Sequence, residues 1–379
     1  MTKSYDAVVI GAGAFGSWAA YHLRKTGRSV ALLDQYGPAN SRASSGDESR
    51  IMRAGYGADE IYTRWAMRSR ELWIELFDAA GQPELFQHSG ALWTPSPSDP
   101  RGPATRAAFE KCGVEFENLG MAEIAARFPQ FHFTSERIGI FEPRAGVLLA
   151  RKAVNQVVNS AVGNGLHYFR DAASAPTADR IKTTSGEVFS AALYVYACGP
   201  WLPKIFPDLL KNRIRATRQE SFYFGTPLGN LDFSAPNMPA WIDFGDERCP
   251  YIVPEVESRG LKIAFDRHGP DFDPDTGDRL AAGLAAARAF VAERLPALAA
   301  APLVESRVCQ YENTSNGDFL IDRHPDFDNL WIAGGGSGHG FKHGPAVGEY
   351  LTQRIENKIA ENPRFSLAAK TADRARSVF

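Results

Sequence analysis

Gly11-Ala12-Gly13-Ala14-Phe15-Gly16 is a GxGxxG turn that follows the apolar run YDAVVI and opens a helical pattern. Gly11 permits a tight turn, Gly13 lets a pyrophosphate approach the backbone, and Gly16 allows close helix packing. With Ala14 and Phe15 in its first turn, the helix N-terminus offers unpaired N–H groups and a positive dipole end to phosphates. Asp34, 23 residues after Gly11, ends the next strand, where a carboxylate can accept from ribose hydroxyls.

A second glycine cluster lies in LWIAGGGSGHGFKHGPAVGEYL, residues 330–351. Its backbone can lie flat against a planar or anionic ligand, and Lys342 within it can face an anion. Gly338, His339, Gly340 and Phe341 belong to this cradle. Arg50 and Arg53, in GDESRIMR, are three apart and would share one side of a helical turn. Cys309 stands in the polar run RVCQYENTSNGDFLIDRHP. Taken alone, it reads either as a small buried hydrophobe or as a sulfur bonded to something.

The elements needed to position these groups alternate between strand-like and helix-like, which predicts an α/β fold. Tyr5 to Ile10 is a buried strand, apolar residues from Phe15 to Leu23 mark one helical face, Gly27 suits its C-cap, and Ser29 to Leu33 is a second strand. AVNQVVNSAVGNGLHYF reads as helix, turn and strand. AALYVYACG is a further strand ending at Gly199, which is assigned to the cofactor together with Trp201. Residues 279–296 are expected to be helical, given their alanines and the stop at Pro296. The expected architecture is a Rossmann-like FAD-binding domain (1–88, 146–218 and 312–379) with an interleaved substrate domain (89–145 and 219–311) on a largely antiparallel sheet. The fingerprint does not separate FAD from NAD; its place at the start of the chain favours FAD.

A net charge of −2 over 379 residues argues against nucleic acid as a partner. The sequence has no apolar run of membrane-spanning length and no secretory signal pattern, and its four cysteines lack metal-like spacing. A cytoplasmic monomer without a metal is expected.

With these motifs assembled, the chain resembles the monomeric sarcosine oxidase and N-methyltryptophan oxidase family of FAD-dependent amino acid oxidoreductases. GAGAFG, GDESRIMR, GLKIAF, RVCQY, GDFLIDRHP and GSGHGFK carry the resemblance over nearly the whole chain. It implies that Cys309 is covalently bonded to the flavin 8α-methyl group, whereas Cys112, Cys198 and Cys249 have no such match and read as structural. It implies that Arg53 and Lys342 hold a substrate carboxylate and that Arg50 packs near the flavin ring. Lys262 would promote oxygen reduction, and Tyr251 and Tyr311 would line the substrate pocket. Two departures stand out. Asp266 replaces an active-site histidine, with Asp243, Glu255 and Glu257 as further acidic candidates nearby. Ser44-Ser45 stands where the family often has histidines.

The implied reaction removes a hydride equivalent from the carbon of a secondary amino acid, giving an imine and, through O₂, hydrogen peroxide. No general base is evident, so a pocket that lowers the amine pKa is the economical reading; Asp266 works against it. The alternatives are a flavin dehydrogenase using a protein acceptor, a biosynthetic imine-forming flavoenzyme and a non-catalytic flavin-binding scaffold. An NAD-dependent dehydrogenase comes last, because it gives Cys309 no role.

Overall fold

The computed structural model describes residues 2–175, 180–243, 245–278 and 280–371. Its first sheet is built around the strand Thr2–Ile10, which pairs in parallel with Val188–Tyr196 on one side and Val30–Leu33 on the other. His167–Phe169 and Leu330–Gly334 extend it in parallel at the two flanks, while Leu320–Arg323 and Arg180–Lys182 join antiparallel. Both faces are covered, which explains the unbroken apolar run of the first strand. Ala7 and Val9 face a core shared with the helices Ala14–Lys25, Glu60–Ala79 and Ala150–Gly163, whereas Val8 and Ile10 pack with Leu202, Phe206 and Leu210.

A second sheet of eight strands begins with Leu303–Thr314, Ile214–Phe224, Leu261–Phe265 and Pro250–Val253, all antiparallel neighbours. Ala240–Ile242, Ala91–Trp93, Gly139–Glu142 and Glu117–Leu119 complete it, with one parallel pairing between Ala240–Ile242 and Ala91–Trp93. Leu261 and Ile263 face an aromatic core with Phe222, Phe224, Trp241 and Phe290. The alternate residues of those strands, Lys262 and Tyr223, are directly paired and point to the other side. Burying each large apolar side chain of this core contributes about 1.5–3 kcal/mol.

Three expectations change. Arg50 lies in a strand, Ser49–Met52, and not in a helical turn, because that segment pairs antiparallel with Gly146–Leu149. The helix expected over 279–296 is shorter, Leu284–Arg294, and Arg279 lies outside the described residues. Its start is delayed because the N–H groups of Ala282 and Gly283 donate to the Glu220 carboxylate at 3.0 and 2.7 Å, holding the approach as a loop. The domain boundaries drawn at 218/219 and 311/312 fall inside the strands Ile214–Phe224 and Leu303–Thr314. Of the segment 312–379, residues 372–379 lie outside the described residues.

Candidate active site

One cavity of about 610 Å³ collects nearly every residue singled out above. At one end the GxGxxG turn forms its wall. Gly11 has φ +102°, and a Cβ there would run into the carbonyl of Ala197. The helix Ala14–Lys25 starts at Gly13 with no side-chain cap, leaving its first N–H groups for a ligand. Gly11, Gly13, Ala14 and Phe15 line the cavity. Gly16 does not; a Cβ on it would overlap the Gly11 carbonyl, so it serves the turn by packing. Asp34 also faces the cavity, and its carboxylate already accepts from the N–H groups of Ala12, Tyr36 and Gly37 at 2.7–2.8 Å. Burial raises its pKa against those bonds.

The turn Cys198-Gly199-Pro200-Trp201 forms the adjoining wall. Cys198, read from the sequence as structural, is therefore a cavity residue. Its thiol donates to the Ile10 carbonyl at 3.4 Å, and burial, aided by Asp34 and Glu312, holds its pKa up. Ser44 and Ser45 also line the cavity, and among the described residues their buried hydroxyl oxygens have no hydrogen-bond partner.

Cys309 projects into the cavity from the strand Leu303–Thr314. Its sulfur is 3.8 Å from the Ser44 carbonyl and 3.9 Å from an Arg50 guanidinium nitrogen. Arg50 donates to Ser44 O and to Asp47 Oδ2, both at 2.8 Å, and lies 5.7 Å from the Phe341 ring centre. Asp47 was not singled out by its sequence, yet it organises this wall. Lys262 Nζ and the Tyr223 hydroxyl both donate to it, and an Arg307 nitrogen is 3.6 Å away. Burial opposes the Asp47 charge, but Lys262 and Arg50 outweigh it and hold the pKa far below the usual carboxylate range. For Lys262 the balance runs the other way: burial lowers it to about 8 even though Asp47 pulls it up.

Arg53 and Lys342, both about 95% buried, share the ring of Tyr56. The Arg53 guanidinium carbon lies 4.7 Å from its centre and 4.6 Å from that of Trp93; Lys342 Nζ lies 4.9 Å from the Tyr56 centre. Arg53 also donates to the Gly55 carbonyl, and Lys342 Nζ to His339 O at 3.2 Å. The nearby buried Glu142 accepts from the N–H groups of Ala54 and Gly55 and from Trp93 Nε1 at 2.6–3.2 Å. Burial and the Arg53 charge push Lys342 well below an ordinary lysine. The Asp266 charge reaches Tyr311, whose pKa it helps to raise, and also Tyr251 and Lys342. The other acidic candidates face elsewhere: Asp243 pairs with Arg137, Glu255 accepts from Thr226 and Ser234, and Glu257 pairs with Lys152.

The cavity thus brings together an uncapped helix start, the glycine-rich backbone from Gly336 to Gly340 and the buried cations Arg50, Arg53, Lys262 and Lys342. This is the form of a site for an extended dinucleotide carrying a planar redox ring. The orphaned serine hydroxyls fit such a group, with the Ser45 hydroxyl held beside Gly13 at 3.3 Å from where a Cβ would stand. The chain matches the "FAD dependent oxidoreductase" family over residues 6–354, and it belongs to that family. It is 30% identical to the peroxisomal sarcosine oxidase of Mus musculus, over 97% of this chain and 95% of that protein. It is 30% identical to the monomeric sarcosine oxidase of Arthrobacter sp. (strain TE1826), over 93% and 92%. Its fold is similar to that of L-proline dehydrogenase from P. horikoshii, with TM-score 0.86 at 19% identity, over 99% of this chain and 100% of that one. FAD is therefore its cofactor.

Among the described residues, no cluster of His, Cys, Asp and Glu could hold a metal ion, and no helix is long and apolar enough to cross a membrane.

Proposed function

We propose that the protein oxidises the C–N bond of a secondary amino acid, N-methylated, cyclic or otherwise N-substituted, to an imine, and that O₂ takes the electrons as hydrogen peroxide. The observation that carries this reading is the placement of Arg53 and Lys342 over one tyrosine ring, opening on the same cavity as Asp266, Tyr251 and Tyr311. A carboxylate bound there would be held by two cations in one orientation and would favour the protonated form of Lys342. Its amine would then face Asp266, whose charge lies close to Tyr311. Bound FAD supplies the two-electron acceptor. Lys262, Arg50 and Asp47 sum to one net positive charge, which favours negative charge developing on dioxygen. We read Cys309 as the attachment point for the flavin 8α-methyl group; its sulfur lines the cavity beside Arg50.

Anaerobic mixing of the yellow protein with sarcosine, larger N-methyl amino acids, proline, pipecolate and glycated amino acids tests the reading. One class is expected to bleach the visible flavin band, and air is then expected to restore it with one peroxide per imine. Bleaching by dithionite alone would reject the proposal, and reoxidation without peroxide would reject O₂ as the acceptor.

A further inference from the structure

Glu312 is a buried carboxylate in the cofactor cavity with one oxygen that no described residue satisfies. It follows Tyr311 on the strand Leu303–Thr314, is 8% exposed, and lines the cavity. The backbone of Gly335 and Gly336 favours its charged form, yet among the described residues Oε2 has no hydrogen-bond partner. A buried polar atom left in this state is costly unless something else satisfies it.

Its surroundings indicate what that is. Two glycine-rich walls leave room around the carboxylate: a Cβ built on Gly199 would lie 3.2 Å from Oε2, and one on Gly336 would lie 3.2 Å from Oε1. Gly199 belongs to the turn after Ala197, whose carbonyl abuts Gly11 of the phosphate turn. Three residues before Glu312 on its own strand is Cys309, which lines the same cavity beside Arg50. Glu312 therefore sits between the pyrophosphate turn and Cys309. A phosphate there would accept only and would repel a carboxylate. A hydroxyl donates and carries no charge. Burial pushes Glu312 up to about 7, and a donor at Oε2 would favour its ionised form.

We propose that Glu312, through Oε2, accepts a hydrogen bond from a hydroxyl of the ribityl chain of FAD, making it a cofactor-positioning residue. This rests on FAD being the cofactor and is independent of which substrate is oxidised.

The test is reversible binding to the full-length apoprotein in a Cys309→Ser background, read by quenching of flavin fluorescence. The ligands are FAD and its 2′-, 3′- and 4′-deoxyribityl analogues. At least one analogue is expected to bind tenfold or more weakly than FAD, because a site built around a hydroxyl is left unpaired without it. Glu312→Ala is expected to bind FAD about tenfold more weakly and to lose that discrimination. Glu312→Gln, which keeps an acceptor oxygen, is expected to recover most of it. Glu312→Met, similar in volume but lacking the acceptor, makes the same comparison where alanine leaves the chain unfolded. Equal binding of FAD and all three analogues to the parent would overturn the proposal. So would a variant that weakens all four ligands by one factor, which would mark a structural role.

Discussion

Lys262 and Asp47 form a buried ion pair across 215 residues of sequence, and Arg50 binds the same carboxylate at 2.8 Å. The pair joins the antiparallel sheet to the loop after the nucleotide turn. It does not cancel the charge of the wall: two cations share one carboxylate and leave a net positive edge on the cavity. Lys262 alone of the three titrates near neutrality, at about 8.

Reoxidation of the reduced enzyme should therefore depend on pH in one direction. Lys262 is protonated below about 8 and neutral above it, so the second-order rate with O₂ is expected to fall as pH rises through about 8. Stopped-flow reoxidation across a series of buffers measures this. A rate that is flat or rises there would remove Lys262 from the oxygen step.

Lys262→Met is expected to slow reoxidation on the order of 10²-fold, the scale of losing one preorganised electrostatic contact, while leaving anaerobic reduction by substrate nearly unchanged. Asp47→Asn removes the group that raises the Lys262 pKa, so the pH break should move below about 8. Equal slowing of both half-reactions in Lys262→Met would instead mean that the flavin environment had been disrupted.

Asp47 also shows where sequence reading stops. Strand alternation places Lys262 opposite Leu261 and Ile263, on a face that would be solvent in an isolated sheet; without the family resemblance it reads as a surface lysine. That face is the cavity wall, because Tyr223 on the neighbouring strand and Asp47 on a distant loop close over it. Nothing local to GDESR or GLKIAF encodes the meeting. The GxGxxG turn was legible because strand, turn and helix are contiguous, and the second glycine cluster for the same reason. Cys198 and Glu312 were not, because their burial arises from walls contributed by distant segments.

Removing either member of the proposed carboxylate clamp, Arg53 or Lys342, should discriminate among substrates. Arg53→Met and Lys342→Met are each expected to weaken an amino acid by on the order of 10²-fold in the apparent Kd for flavin reduction, since a buried charge pair loses a partner. Arg53→Lys should rescue little, because it lacks the planar fork and the stacking between Tyr56 and Trp93. The corresponding decarboxylated amine should be almost indifferent to both methionine changes. An equal loss for amine and amino acid would remove the clamp from the account.

Two cysteine sulfurs border the cavity, and they can be told apart. Cys309→Ser is expected to release all of its flavin on denaturation and chromatography, whereas Cys198→Ser should retain it on the protein. The Cys198 thiol is held protonated by burial and engaged with the Ile10 carbonyl, a poor state for a nucleophile. Flavin that remains bound in denatured Cys309→Ser protein would move the attachment to another residue.

Asp266 should set the pH at which substrate reduces the flavin. A carboxylate beside the bound amine raises the amine pKa, so more of the substrate stays protonated and unreactive near neutrality. Asp266→Asn removes that charge, which also helps to raise the pKa of Tyr311, at nearly unchanged side-chain size. The pH profile of anaerobic reduction is then expected to shift toward acid by about one unit or more, the usual effect of one close charge. The limiting rate at high pH should change little, because the deprotonated amine no longer feels the difference. Stopped-flow reduction of the parent and Asp266→Asn with the same substrate gives both quantities. An unmoved profile would place the amine away from Asp266. The carboxylate would then select the N-substituent, and substrates carrying a cationic substituent should lose affinity in Asp266→Asn while sarcosine does not.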